Sequence, residues 1–152
     1  MRVLFDVAVL VAHARGDHRD HACARRAVAL ATAHAEAILA PDAVLLAVIR
    51  VTTRSGAFAQ PSSQASAFAY VAFLRSHPAF VAVSATAATL ARQQPLLQHA
   101  GPSPNEIVDT YLAALAIEHG AIVVSLDRGF ARFPGVAWID PADPLALDAL
   151  GP

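Results

Sequence analysis

The chain has 152 residues, enough for one domain with a single core, and 56% of them are hydrophobic against 15% charged. No apolar run approaches the roughly 20 residues of a membrane helix, and a net charge of −1 sets up no global basic field for nucleic acid. All eleven basic residues are arginines, which excludes chemistry that needs a Schiff-base or phosphate-gripping lysine.

Much of the apolar content is Ala, which suits closely approaching helices. The single cysteine, Cys23, cannot form an internal disulfide, so a reducing cytosol is expected. Its place in a predicted helix reads as packing.

Residues 2–5, "RVLF", predict a short buried strand. The apolar run after Asp6 predicts a helix to about Ala14. An Asp inside "MRVLFDVAVLVA" and the lack of a polar cleavage region argue for a strand entering a helix, not a signal peptide. After the polar turn "RGDHRD", residues 18–35 have helical spacing with Arg25, Arg26 and the histidines outside. "AILA" predicts a second strand. "PDAVLLAVIRVTTR" opens with Pro and Asp and predicts a helix. "SGAFAQPSS" predicts a loop that leads into a helix ending at His77, before Pro78. "FVAV" predicts a third strand, and Ser84 a cap for a helix to about His99. "AGPSPN" predicts a linker, followed by a helix over residues 106–119 stopped by Gly120. "AIVVS" and "VAWI" predict the fourth and fifth strands, separated by a loop, "DRGFARFPG", with one helical turn. The tail after residue 140 is expected to dock loosely.

Strands alternate with helices and no repeat is visible, so the order predicts an α/β sandwich around a mostly parallel sheet. Such sheets bind ligands beyond the carboxyl ends of their strands. Asp6 and Asp127 follow predicted strands, and Asp109 lies in the first turn of the 106–119 helix. Each acid alone suits a helix cap or turn. Three at one edge are harder to explain that way. Two carboxylates ~5 Å apart repel by about 3 kcal/mol at an effective dielectric near ~20. Three must share protons or hold a divalent cation. Oxygen ligands favour Mg²⁺ or Mn²⁺, which activate water for in-line attack on phosphorus.

The segments "LFDVAVLVA", "VLLAVIRVTT", "DTYLAALAIEHGA" and "SLDRGFARFPGVAW" resemble the successive motifs of PIN-domain ribonucleases, most closely the VapC toxins of bacterial toxin–antitoxin pairs. The resemblance runs over residues 3–139. It implies a PIN-like α/β sandwich with a mostly parallel central sheet flanked by helices, forming one domain over residues 1–140 with a tail at 141–152. It also implies Mg²⁺- or Mn²⁺-dependent cleavage of RNA, often tRNA or ribosomal RNA, a VapB antitoxin that masks the site, a homodimer, and a cytoplasmic setting away from membranes. By motif, Asp6 matches the first acid, Asp109 the acid of the "DxxLAALA" helix and Asp127 the acid of the "T/S-x-D-x-x-F" turn. Ser125 matches the hydroxyl beside them. These three aspartates are the expected catalytic and metal-binding residues.

Two positions depart from the pattern. Ala8 stands where the family often has Asn, and Ala47 where it usually has Glu in the helix after the second strand. Glu106, on the face of Asp109, and Asp42, at the start of the helix carrying Ala47, are candidate substitutes. Their simpler readings are a first-turn acid favoured by the helix dipole and an N-cap. Arg128 is a candidate phosphate contact or a surface salt-bridge partner. His13, His18 and His21 flank a polar turn and read as exposed. His119 ends a helix, and Trp138 reads as core with stacking on RNA as its alternative.

Two other functions compete. A haloacid-dehalogenase-like phosphatase also places an Asp after its first strand, but "DxD…K…D" requires an acid at position 8 and a Lys. A PIN-like module that binds RNA or a partner without cutting follows if Ala47 has removed a needed acid.

Overall fold

The computed structural model describes residues 1–100 and 104–151. Five strands, β1 (Arg2–Phe5), β2 (Ala37–Pro41), β3 (Phe80–Val83), β4 (Ala121–Val124) and β5 (Ala137–Ile139), form one sheet in the order β3-β2-β1-β4-β5. Every pairing is parallel, with Val3 opposite Ile38 on one side and Ile122 on the other. The central strand is the most apolar: Val3, Leu4 and Phe5 are buried, as a strand covered on both faces must be. The edge strand β3 is only partly buried.

The helices are α1 (Val7–Ala14), α2 (His21–His34), α3 (Asp42–Thr53), α4 (Gln64–Ser76), α5 (Ala87–Ala100), α6 (Pro104–His119) and α7 (Pro144–Leu147). α1 packs on α2 and α3, and α3 on α4, whereas α5 packs on α6, which lies along β4 and β1. Right-handed crossovers between parallel strands account for these two groups, one per sheet face. Alanine has the predicted role. Ala24, Ala27 and Ala31 of α2, and Ala113, Ala114 and Ala116 of α6, are buried in the common core, where small side chains permit close approach.

Local chemistry sets the boundaries. Asp6 caps α1 by accepting from Val7 N–H, and Ser63 caps α4 by accepting from Ser66 N–H. Gly120, at φ 60°, ends α6 in the left-handed region that glycine enters freely. Three expectations need correction. The cap of α5 is Thr86, not Ser84: its hydroxyl accepts from Ala88 and Thr89 N–H, while Thr89 Oγ1 accepts from Thr86 N–H. α6 begins at Pro104, so Asp109 lies in its second turn; the rest of the expected linker, residues 101–103, lies outside the described residues. The tail is not loosely docked. Leu147 and Leu150 are 1% and 0% exposed and belong to the core, because the 3-10 turn that follows α7 packs on α2.

Candidate active site

Strand order reverses direction between β1 and β4, since the chain proceeds from β1 to β2 on one side and later adds β4 on the other. At such a switch point the flanking helices diverge and leave a crevice beyond the carboxyl ends of the strands. Asp6 follows β1 there, and Ser125 and Asp127 follow β4. Backbone bonds carry the ladder up to these residues: Asp6 N–H donates to Val124 O, and Ser125 N–H to Ile139 O.

Ser125 links the two aspartates. It is fully buried, donates through Oγ to Asp6 Oδ2 at 2.8 Å and accepts from Asp127 N–H at 3.0 Å. Trp138 Nε1–H donates to Ser125 O at 3.0 Å, fixing that turn from β5. The indole therefore has a polar anchoring role beyond its expected packing. Asp6 Oδ1 accepts from Val7 N–H, and Asp127 Oδ1 accepts from Gly129 N–H, capping a 3-10 turn over Arg128–Arg132. The cap reading is thus correct for both residues and coexists with their shared location.

Asp109 projects from α6 into a cleft of about 860 Å³ that Asp6 and Ala47 also line. Burial, then the charges of Asp6, Asp127 and Glu106, push its carboxyl up to about 6, against a lowering by Arg132. Burial is also the main cause that raises Asp6; its bonds to Ser125 and Val7 oppose this, and Asp127 adds to it. The sequence-predicted acids therefore share one electrostatic site. They do not form a ready-made ligand cage: among the described residues, no three His, Cys, Asp or Glu side chains are grouped closely enough to hold a metal ion. Asp6 and Asp127 are committed to caps, and mutual repulsion opposes closer approach.

The supporting candidates divide. Glu106 lies within electrostatic reach of Asp109 but is ion-paired with Arg132. Asp42 belongs neither to a cap nor to the cleft: Pro41 is the N-cap of α3, and the Asp42 carboxylate meets Arg75 at 3.4 Å on the surface. Arg128 is largely exposed, 3.7 Å from Asp140. The histidines near the first turn are not simply solvated. His13 is hydrogen-bonded to Tyr70 at 2.7 Å and its pKa is lowered, chiefly by burial. His21 meets Ala12 O, and His18 lines the cleft with Phe58 and Arg50. His18 and Phe58 were missed because they come from two polar or irregular segments that only the fold brings together. Cys23 is half-buried and donates to Asp20 O, with burial raising its thiol pKa. That environment suits the packing role expected of it.

The PIN domain family matches residues 3–136. Ribonuclease VapC25 of Mycobacterium tuberculosis is 38% identical over 138 residues, covering 91% of this chain and 97% of that protein. Ribonuclease VapC31 of the same organism is 36% identical over 138 residues, with the same coverage of both chains. Among solved structures, VapBC2 from Rickettsia felis bound to a DNA fragment from their promoter superposes with a TM-score of 0.66 at 15% identity. That match covers 91% of this chain and 97% of the other and shows the shared fold. With a family match over residues 3–136, relatives that align over nearly their whole length and acids at the switch point of a parallel sheet, this chain belongs to the VapC branch of the PIN-domain family.

Proposed function

We propose that this protein is a ribonuclease toxin that cleaves RNA with the help of Mg²⁺ or Mn²⁺. The observation that carries the reading is the crowding of Asp6, Asp109 and Asp127 at the switch point, in a chain 38% identical to a protein named ribonuclease. Asp6 and Asp127 raise the pKa of Asp109 in the cleft, and a carboxyl perturbed by neighbouring charges in a cleft marks a candidate functional site.

The donor set fits the ion by its chemistry: hard oxygen donors carrying excess negative charge. Asp6, Asp109 and Asp127 would hold it, and when bound it would supply charge neutralisation and an activated water for attack on phosphorus. The chain's own contribution is orientation. Ser125 holds Asp6 Oδ2, and Trp138 holds the Ser125 backbone. A carboxylate oxygen bonded once retains a lone pair for a further partner. Asp109 keeps its proton to about pH 6, so cation and proton compete for it. Glu106 keeps Arg132 at the edge of the acidic group.

The partner implied is a small VapB-like antitoxin, and the substrate a structured RNA of the tRNA or ribosomal class. Among the described residues no helix is long and apolar enough to cross a membrane. The test is cleavage of total RNA by purified protein with Mg²⁺ or Mn²⁺ and with EDTA, the cut ends being sequenced. Asp6→Asn, Asp109→Asn and Asp127→Asn should each lose at least ~100-fold activity, the upper end of what supporting residues around a metal cost. Asp148→Asn, on the tail, should retain it. No metal-stimulated cleavage by the unmodified protein would overturn the reading.

A specific observation favours a second reading, an RNA- or partner-binding module without catalysis. Ala47 lies in the cleft wall beside Asp6 and Asp109, where the family pattern has an acid. Binding of RNA without cleavage in the same assay would select it.

A further inference from the structure

The segment between α3 and α4 is an irregular surface loop, yet it is tied down at many points. Ser62 N–H donates to Thr52 O at 2.8 Å, Ala57 N–H donates to Arg54 O, and Ser55 bridges to Phe58. Further ties run to Arg15, whose side chain is only 13% exposed. Its Nε and Nη2 grip Asp17 at 2.9 and 2.7 Å. Nη1 donates to Ser62 Oγ at 2.9 Å and Nη2 to Gln60 O at 2.8 Å. The guanidinium lies 4.4 Å from the centroid of the Phe58 ring.

The result is an aromatic ring that packs against the edge of the core and lines the wall of the cleft. Phe58 is half-buried and shares the cleft with Asp6, Asp109, Arg50 and His18. The His18 ring stands 6.4 Å from that of Phe58, inclined by 58°. His18 Nδ1 accepts from Asp20 N–H at 3.1 Å, so the neutral ring carries its proton on Nε2, a donor. The cleft lining thus combines carboxylates with an aromatic pair, a guanidinium and an imidazole donor. An aromatic face with adjacent phosphate-compatible donors suits a nucleotide of single-stranded RNA, whose splayed base needs a stacking surface.

We propose that Phe58 and His18 form a base-stacking subsite for a nucleotide flanking the cut, with Arg50 as its phosphate contact and Arg15 as the positioning residue that holds the wall. This rests on the ribonuclease reading. Two measurements test it: steady-state cleavage of a single-stranded oligoribonucleotide, and quenching of a 2-aminopurine placed beside the cut, read in EDTA so that no turnover is needed. Phe58→Ala should raise KM roughly five- to hundredfold, the span of aromatic–base stacking on alanine substitution, leave kcat little changed and abolish the quench. Phe58→Tyr should restore both. Arg15→Ala should raise KM in the same direction, whereas Phe68→Ala, exposed on α4, should change neither readout. Unchanged KM and quench in Phe58→Ala would overturn the subsite, and so would a loss confined to inhibition by an antitoxin-derived helix. A Phe58-dependent quench without any cleavage by the unmodified chain would support the subsite and remove the ribonuclease reading. Cleavage indifferent to Phe58 would do the reverse.

Discussion

Asp109 is the residue at which folding and function oppose each other most clearly. Its carboxyl is pushed up to about 6 by burial and by the neighbouring acids. A carboxyl raised in the folded state contributes stability that is present in full below its unfolded value, near ~4, and is lost as pH rises through the folded value near 6. Asp6 shifts in the same direction. The metal-free protein should therefore be less stable at pH 7 than these residues would allow if neutral. Asp109→Asn should raise the metal-free melting temperature at pH 7, and the gain should vanish by about pH 4, where both states carry the proton. Thermal melts across that range in EDTA check this; an equal gain at both pH values would mean that packing, not charge, is responsible. Ala47 belongs to the same scale. With an acid restored in the cleft wall, Ala47→Glu should tighten Mn²⁺ binding, measured by calorimetry, relative to the weak, water-rich binding expected of the unmodified site.

At the scale of elements, the site depends on turns that tie one strand end to the next. Ser125 joins the ends of β1 and β4, and Trp138 joins β5 to the same turn. Elsewhere, Glu118 of α6 accepts from the hydroxyls of Thr86 and Thr89. The cap of α5 is thereby joined to the helix that carries Asp109, and these bonds lower the Glu118 pKa. The C-terminal segment is a structural element of the same kind. Leu147 and Leu150 complete the core, while Leu145 of α7 is 82% exposed. Leu150→Ala should cost about 2–5 kcal/mol, the usual range for emptying a fully buried leucine site. Leu145→Ala should cost little, since surface substitutions stay within about 0.5 kcal/mol. Urea midpoints of the two variants would show whether the segment is integral to the domain.

For the whole molecule, an RNA-cutting chain needs a partner that masks it. Apolar side chains flank the acidic cleft: Leu46 and Val108 line it, and both are exposed. An amphipathic helix fits such a groove, and a basic residue reaching Asp6 and Asp109 would compete with the cation. Expression without the partner should arrest growth, and Asp6→Ala should relieve the arrest. Normal growth with the unmodified chain, at confirmed protein levels, would favour the binding module.

Strands, helices and the parallel α/β class were legible because apolar runs, caps and Gly120 act locally, within a few residues. The motif segments likewise identified Asp6, Asp109 and Asp127 as the acids to examine. Tertiary structure alone decided what each polar residue does. Asp42 resembles a cap or ligand in sequence but pairs with Arg75, a partner 33 positions away. Ser125 meets Asp6 across 119 positions, and Arg15 reaches Ser62 across 47. The tail also looked loose, since nothing local announces that Leu147 and Leu150 will find a core. Periodicity and capping report short-range preferences of the chain. Hydrogen bonds, ion pairs and burial between distant segments exist only after the sheet order has brought those segments together.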